Sequence, residues 1–208
     1  MKTIILIISL GFLITIQAQT VYEVQPGIKG NQIKLTVSNI SETDAAQDVN
    51  VTLSKQSSFI VFKNETATIE TIEPGKENLI TFAFDINRNA PINKKDTVDF
   101  IITSSDGIMM MKSFIFSYTP PKEFKLEQNF PNPFNPTTTI QYQLPQDARV
   151  TLKVYDILGS EVTTLVNEKQ EAGYKEVKFN GIGYASGMYI YRLQAADYVS
   201  VKKMMMVK

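Results

Sequence analysis

The chain has 208 residues, balances 21 basic against 21 acidic side chains, and contains no cysteine, histidine or tryptophan. The missing cysteine excludes a disulfide framework, a thiol nucleophile and a sulfur zinc site, and the missing histidine excludes a Ser-His-Asp triad and an imidazole base. Acids and bases are interspersed at zero net charge, so the chain shows no nucleic-acid footprint.

The N-terminus has one basic residue, Lys2, then an apolar run from Ile4 to Ile16, then Gln17-Ala18-Gln19. A charged start, a short apolar core and a small residue are the parts of a secretory signal peptide. The reading assigns residues 1–18 to it, with cleavage after Ala18. Thirteen apolar residues are too few for a transmembrane helix, which needs about 20. No cysteine follows to carry a thioether-linked lipid, so a secreted, soluble chain without a transmembrane span is expected.

Residues 19–119 repeat short alternating runs separated by polar turns. Ile33, Leu35 and Val37 share one face, as do Val49, Val51 and Leu53, then Ile80, Phe82 and Phe84. Val98, Phe100 and Ile102 repeat the pattern, and so do Phe114, Phe116 and Tyr118. Period-two alternation with one apolar face describes half-buried antiparallel strands. Ser41 to Asp44, Pro74-Gly75 and Ser105-Asp106-Gly107 supply the turns. About seven such strands predict an immunoglobulin-like sandwich.

Three local patterns in this region invite sharper readings. Asp85, Asn87, Asn89, Asn93 and Asp96 fall at positions of a calcium-loop template, but Ala90 stands where that loop needs glycine and three basic residues intervene. A polar inter-strand loop is expected, with no metal. Asp96 and Asp99 on one strand point to opposite faces, which predicts solvated charges instead of an acid-base pair. In Met109-Met110-Met111, alternation sends Met110 one way and its neighbours the other, predicting a strand packed partly on both sides.

Thr119 to Glu123 carries two prolines and two charges, and residues 120–127 read as a linker. The following stretch, Gln128-Asn129-Phe130-Pro131-Asn132-Pro133-Phe134-Asn135-Pro136, can form neither helix interior nor central strand. Its two phenylalanines favour burial, so it is expected to clip onto a domain. Ile140, Tyr142 and Leu144 then alternate, as do Val150, Leu152 and Val154. Tyr155-Asp156-Ile157-Leu158-Gly159 reads as a hairpin turn, with Asp156 capping it and Gly159 left-handed. Val177 and Phe179, then Tyr189, Tyr191 and Leu193, then Val199, Val201, Met205 and Val207 are assigned to inward faces. These runs predict a second sandwich, of seven strands, over residues 128–208. The expected fold is therefore all-β: two antiparallel immunoglobulin-like sandwiches in tandem after a cleaved signal peptide.

Four blocks of this region resemble a known family: Asn129 to Pro136, Tyr155 to Gly159, Gly187-Met188-Tyr189-Ile190-Tyr191-Arg192-Leu193, and Lys202 to Lys208. Together they make about residues 124–208 similar to the C-terminal sorting domain of bacterial type IX secretion substrates, a module related to the immunoglobulin-like domain of flagellar hook-capping proteins. The resemblance implies a sorting signal at Gly187, Tyr189, Tyr191, Arg192, Leu193, Lys202, Lys203, Met205, Val207 and Lys208. It implies structural motif positions at Pro131, Pro133, Phe134, Pro136, Tyr155, Asp156, Leu158 and Gly159. It further implies recognition by the secretion translocon and by a sortase-like peptidase, with removal of the module near Thr119 to Gln128. The remainder would be attached to surface polysaccharide or released, after transit through the periplasm. In bacteria using this route, Asp96-Thr97-Val98 also resembles an O-glycosylation acceptor. Through Leu35 to Asn39, Ala45 to Val49 and Ile72 to Gly75, with Ile40-Ser41 in place of the usual glycine, residues 20–119 are similar to bacterial adhesion-related immunoglobulin-like repeats. That similarity bears on fold only; since a sorting address says nothing of its cargo's task, the alternative function is a structural or adhesive surface module that binds protein or glycan through the first sandwich. No enzyme activity, cofactor, catalytic residue or metal site is expected.

Overall fold

The computed structural model describes the backbone of residues 3–10 and the whole of residues 21–107 and 109–208. Ala18, the expected cleavage position, lies outside the described residues. The described chain forms strands and no helix. It divides into two units, Met1–Thr119 and Pro120–Lys208.

The first unit contains β1 (Thr3–Leu10), β2 (Val21–Val24), β3 (Asn31–Asn39), β4 (Ala46–Lys55), β5 (Ile60–Phe62), β6 (Thr66–Ile72), β7 (Glu77–Ile86), β8 (Lys95–Thr103) and β9 (Met109–Tyr118). One sheet has the order β1-β3-β7-β5 and the other β2-β9-β8-β4-β6. The β1 backbone lies parallel to β3, pairing Thr3 with Gln32 through Leu10 with Asn39. The core is the one the alternation predicts: Ile33, Leu35, Val37, Phe82, Phe84 and Phe100 are all fully buried. Phe100 sits among rings, edge-on to Phe62 at 5.8 Å and tilted against Phe82 at 4.6 Å. Aromatic pairs in such geometries add to the energy of burial alone. Asn39, a buried polar residue, bonds the carbonyls of Asp44 and Ile72 and accepts from the Ser41 amide, so the β3–β4 turn is locked from inside.

The methionine triplet differs from expectation. Met110 packs on the core, while Met109 and Met111 are exposed at 72% and 66%. Among the described residues, nothing covers the outer face of β9 at Met109 and Met111, so alternation alone decides which side chain is buried.

The second unit contains β10 (Lys125–Leu126), β11 (Thr137–Leu144), β12 (Ala148–Tyr155), β13 (Glu161–Gln170), β14 (Gly173–Asn180), β15 (Gly187–Ala195) and β16 (Tyr198–Met206). Its sheets have the orders β10-β11-β14 and β13-β12-β15-β16. Seven strands in two layers meet the expected sandwich. Ile140, Tyr142, Val150, Leu152, Tyr191 and Leu193 fill the space between the layers. The stretch read as a linker is shorter than expected, because β10 pairs with β11 and buries Leu126. Lys125 and Leu126 were too few to show alternation.

Candidate functional site

The proline-rich segment and the terminal strand form one structure. Phe130-Pro131 and Asn132-Pro133 are both cis peptides. Phe130 bridges Thr139 on β11, and Phe134 bridges Met206 on β16, so the segment crosses from one sheet to the edge of the other. Its polar groups serve that edge. Gln128 donates its side-chain amide to the Lys203 carbonyl at 2.7 Å, and the Met205 amide donates to Asn132 Oδ1 at 2.9 Å. The Phe134 amide donates to the Met205 carbonyl at 2.9 Å, and the Val207 amide to the Phe134 carbonyl at 3.0 Å. An open strand edge templates association with other chains. Here Gln128 to Phe134 shields the edge from Lys203 onward, while the half at Tyr198 to Lys202 precedes this cover.

Tyr191 anchors the same segment from within. Its hydroxyl accepts from the Asn129 amide and donates to the Glu127 carbonyl, both at 2.9 Å. Asn129 is itself buried and donates through its side chain to Thr138 Oγ1 and the Pro131 carbonyl. Phe134 completes the clip, 1% exposed and edge-on to Phe179 at 5.8 Å. Gly181 lies against this contact. A Cβ there would collide with Met206 Sδ and come within 3.2 Å of the Pro136 carbonyl, which explains the glycine at this position.

The residues implied as a sorting signal separate into two sets. Tyr189, Tyr191 and Leu193 face inward and are buried, with the Tyr189 hydroxyl bonded to the Ala185 carbonyl. Gly187 opens β15 at φ +149, which favours glycine. Arg192, Lys203, Met205, Val207 and Lys208 face outward or are exposed, while Lys202 is half-buried. The first set builds the strand, the exposed members of the second lie at the surface, and Lys202 shares the inward side of β16 opposite Tyr191.

The terminal strand reverses the inward assignment made from sequence. Met204 and Met206, each 1% exposed, face the core, whereas Val199, Val201, Met205 and Val207 are exposed at 37–54%. Apolar residues occupy both parities of this strand, so alternation could not choose between them. Met206 Sδ lies against Gly181 beside Phe134, a place that a flexible thioether fills more adaptably than a branched side chain. The buried pair Asn129 and Thr138 was also missed, because nothing in their spacing marks them as partners.

Of the motif positions, Phe134 is buried and Pro136 half-buried, while Pro131 and Pro133 lie on the surface. Asp156 Oδ1 accepts from the Leu158 and Ser160 amides at 2.9 Å each, and Gly159 has φ +85, as the turn chemistry requires. Tyr155 is half-buried on the outer face of β12, and Leu158 projects from the turn at 85% exposure.

Burial of Tyr142 and Tyr191 pushes each phenol up to about 12. A phenol raised in the folded state stabilises that state fully below its unfolded value of about 10 and ceases to do so as pH rises through the folded value. The thermal midpoint of the second unit is therefore expected to fall steeply between about pH 10 and about pH 12. A midpoint that stays level across that window would contradict the assignment.

The candidate sites of the first unit disperse. Asp85 is engaged by Lys63 at 2.6 Å and by the Gly30 amide, contacts that hold its carboxyl below the ordinary range. Asn87 donates to the Ser58 carbonyl, and Asn93 adopts a left-handed turn at φ 62. Asp96 accepts from both Ser57 and Tyr118, so it is an internal acceptor and not the solvated charge expected. Its position at the inner end of β8 places it beside the Tyr118 hydroxyl, a long-range contact. Among the described residues, no three acidic side chains gather as a metal site. Thr97 lies half-buried on β8, paired with Ile115.

Residues 128–208 match the family model described as the secretion system C-terminal sorting domain. The second sandwich thus carries a type IX secretion sorting domain, as its motifs suggest. Such a domain implies interaction with the secretion machinery and export to the cell surface or beyond. No curated protein sequence matches the chain. Among solved structures, the chain is similar to dimeric latent PorU from Porphyromonas gingivalis, with 17% identity and a TM-score of 0.33 over 94% of this chain. It spans only 20% of that PorU chain. It is also similar to the calcium binding domain CBD12 of CALX1.1, with 9% identity and a TM-score of 0.37, over 84% of this chain and 77% of that one. A third likeness is to the YadV chaperone, with 8% identity and a TM-score of 0.32, over 90% of this chain and 96% of that one. Similarity at this level extends no function to the chain. Among the described residues, no helix is long and apolar enough to cross a membrane.

Proposed function

We propose that this is a secreted, non-catalytic protein whose second sandwich is its export address, read through the outward side of β16. The observation that carries this reading is the split within one strand. Met204 and Met206 hold β16 in the sheet, while Val201, Lys203, Met205 and Val207 are turned to solvent beside Lys208. A recognised strand must be displayed in a constant frame, and the proline segment supplies it by bonding the strand's edge. After periplasmic transit, the translocon reads this surface.

A sortase-like peptidase then removes the module at Lys122 to Glu123, both exposed, past the buried Pro121 and before β10 begins. The first sandwich is cargo, joined to surface polysaccharide or released. Among the described residues, its exposed large apolar side chains are Val21, Ile40, Val61, Leu79, Met109 and Met111, none of them aromatic. Sugar binding draws on exposed aromatic faces, so this composition favours a structural spacer or a protein-contacting module over a glycan binder.

The test is transplantation of Pro120–Lys208 behind a periplasmic reporter in a bacterium that has type IX secretion. The reporter is expected on the cell surface or in the medium. A reporter that remains in the periplasm while the appended sandwich is folded would overturn the proposal.

A further inference from the structure

The two outer faces of the second sandwich differ in kind. On the β13-β12-β15-β16 sheet, strand register and side-chain bonds place Arg149, Lys153, Lys169, Arg192 and Lys203 on one face, against a single acid, Glu161. Arg149 bonds Asn167 and Lys153 bonds Glu161 across this face, which confirms its membership. The same pairings put Met188 opposite Met205, half-buried Ile190 opposite Lys203 and Val201 opposite Arg192, so apolar side chains, most of them exposed, alternate with bases. The opposite outer face, on β10-β11-β14, carries Lys125, Glu127, Glu176 and Lys178 among threonines and glutamines. It is balanced in charge, as an ordinary solvated face is.

We infer that the outer face of the β13-β12-β15-β16 sheet docks flat on an anionic phospholipid surface. Charge complementarity selects the partner. Five bases against one acid are spread over four strands about 4.8 Å apart, which suits a diffuse anionic layer better than one acidic pocket. Three of the five are lysines, which protein interfaces exclude from their centres. Long basic side chains reach headgroups while the methionines and valines between them meet the acyl boundary. This inference does not need the sorting reading, since a face can dock on lipid whether or not β16 is recognised.

The test is co-sedimentation of the full chain with vesicles of equal parts phosphatidylglycerol and phosphatidylcholine, and with pure phosphatidylcholine. Binding is expected only to the anionic vesicles, and it should weaken with added salt as screening shortens the reach of the charges. Arg149→Glu with Lys169→Glu leaves β16 untouched and should lower anionic partitioning roughly tenfold or more. Lys125→Glu with Lys178→Glu makes the same change in net charge on the opposite face and should leave partitioning near the unaltered value. Thermal midpoints confirm that both variants fold, and any contribution from the N-terminal apolar run is common to all forms. Equal binding to both vesicle types, equal losses in the two variants, or capture by polyglutamate without vesicle binding would each overturn the inference. A transplanted reporter that stays in the periplasm, with vesicle binding of the full chain intact, would instead count against the sorting reading alone.

Discussion

Tyr191→Ala is expected to unfold or nearly unfold the second sandwich, whereas Tyr191→Phe should leave it folded but weakened. Tyr191 is fully buried in β15, opposite Val154 on one side and Lys202 on the other. Removing the ring opens a cavity at the sheet centre, an effect of about 3–5 kcal/mol for a large aromatic side chain. The hydroxyl adds a second effect, because it satisfies the Asn129 amide and the Glu127 carbonyl together. Stranding such buried groups costs about 1–3 kcal/mol, and Tyr191→Phe isolates that part. Set beside a typical domain stability of about 5–15 kcal/mol, the alanine change consumes much of the margin. Denaturant titration of the full chain separates the two variants. A loss below about 1 kcal/mol for Tyr191→Ala would show that the proline segment is held by other means.

This residue also shows how far the sequence could be read. Alternation marked Tyr191 as inward, along with most of both cores, because antiparallel strands covered on one face carry that period directly. The turn at Asp156 to Gly159 was equally legible, since its chemistry is local. The segment at Gln128 to Pro136 was legible as a clip but not in its attachment points. Gln128 meets Lys203 across 75 residues and Asn132 meets Met205 across 73, distances at which spacing carries no signal. Strand β16 was misread for a different reason. Val199 to Val207 offers apolar side chains on both faces, so which face is buried rests on contacts that spacing does not reveal, such as Met206 against Gly181. The same ambiguity is what a displayed strand requires, with one face for the core and one for a partner. Asp96 was misread because its acceptor role depends on Ser57 and Tyr118, which lie 39 and 22 residues away.

The sorting account rests on the outward residues of the terminal strand, and they can be changed without disturbing the inward ones. Met205→Glu, Val207→Glu and Lys208→Glu alter side chains that are exposed, and leave Met204, Met206 and the bonds from Gln128, Asn132 and Phe134 in place. Exposed substitutions of this kind stay within about 0.5 kcal/mol of neutral in either direction, so the variant should remain folded with a midpoint near that of the unaltered chain. A deletion beginning after Tyr198 would not serve, because it removes two core methionines and unfolds the sheet it is meant to test. The decisive measurement is fractionation of a type IX secreting bacterium expressing the full chain beside this triple variant. The surface and medium fraction should fall roughly tenfold, as expected for the loss of about 1.4 kcal/mol of recognition, with folded variant collecting in the periplasm. Export of the folded triple variant at the level of the unaltered chain would contradict recognition through the outward side of β16.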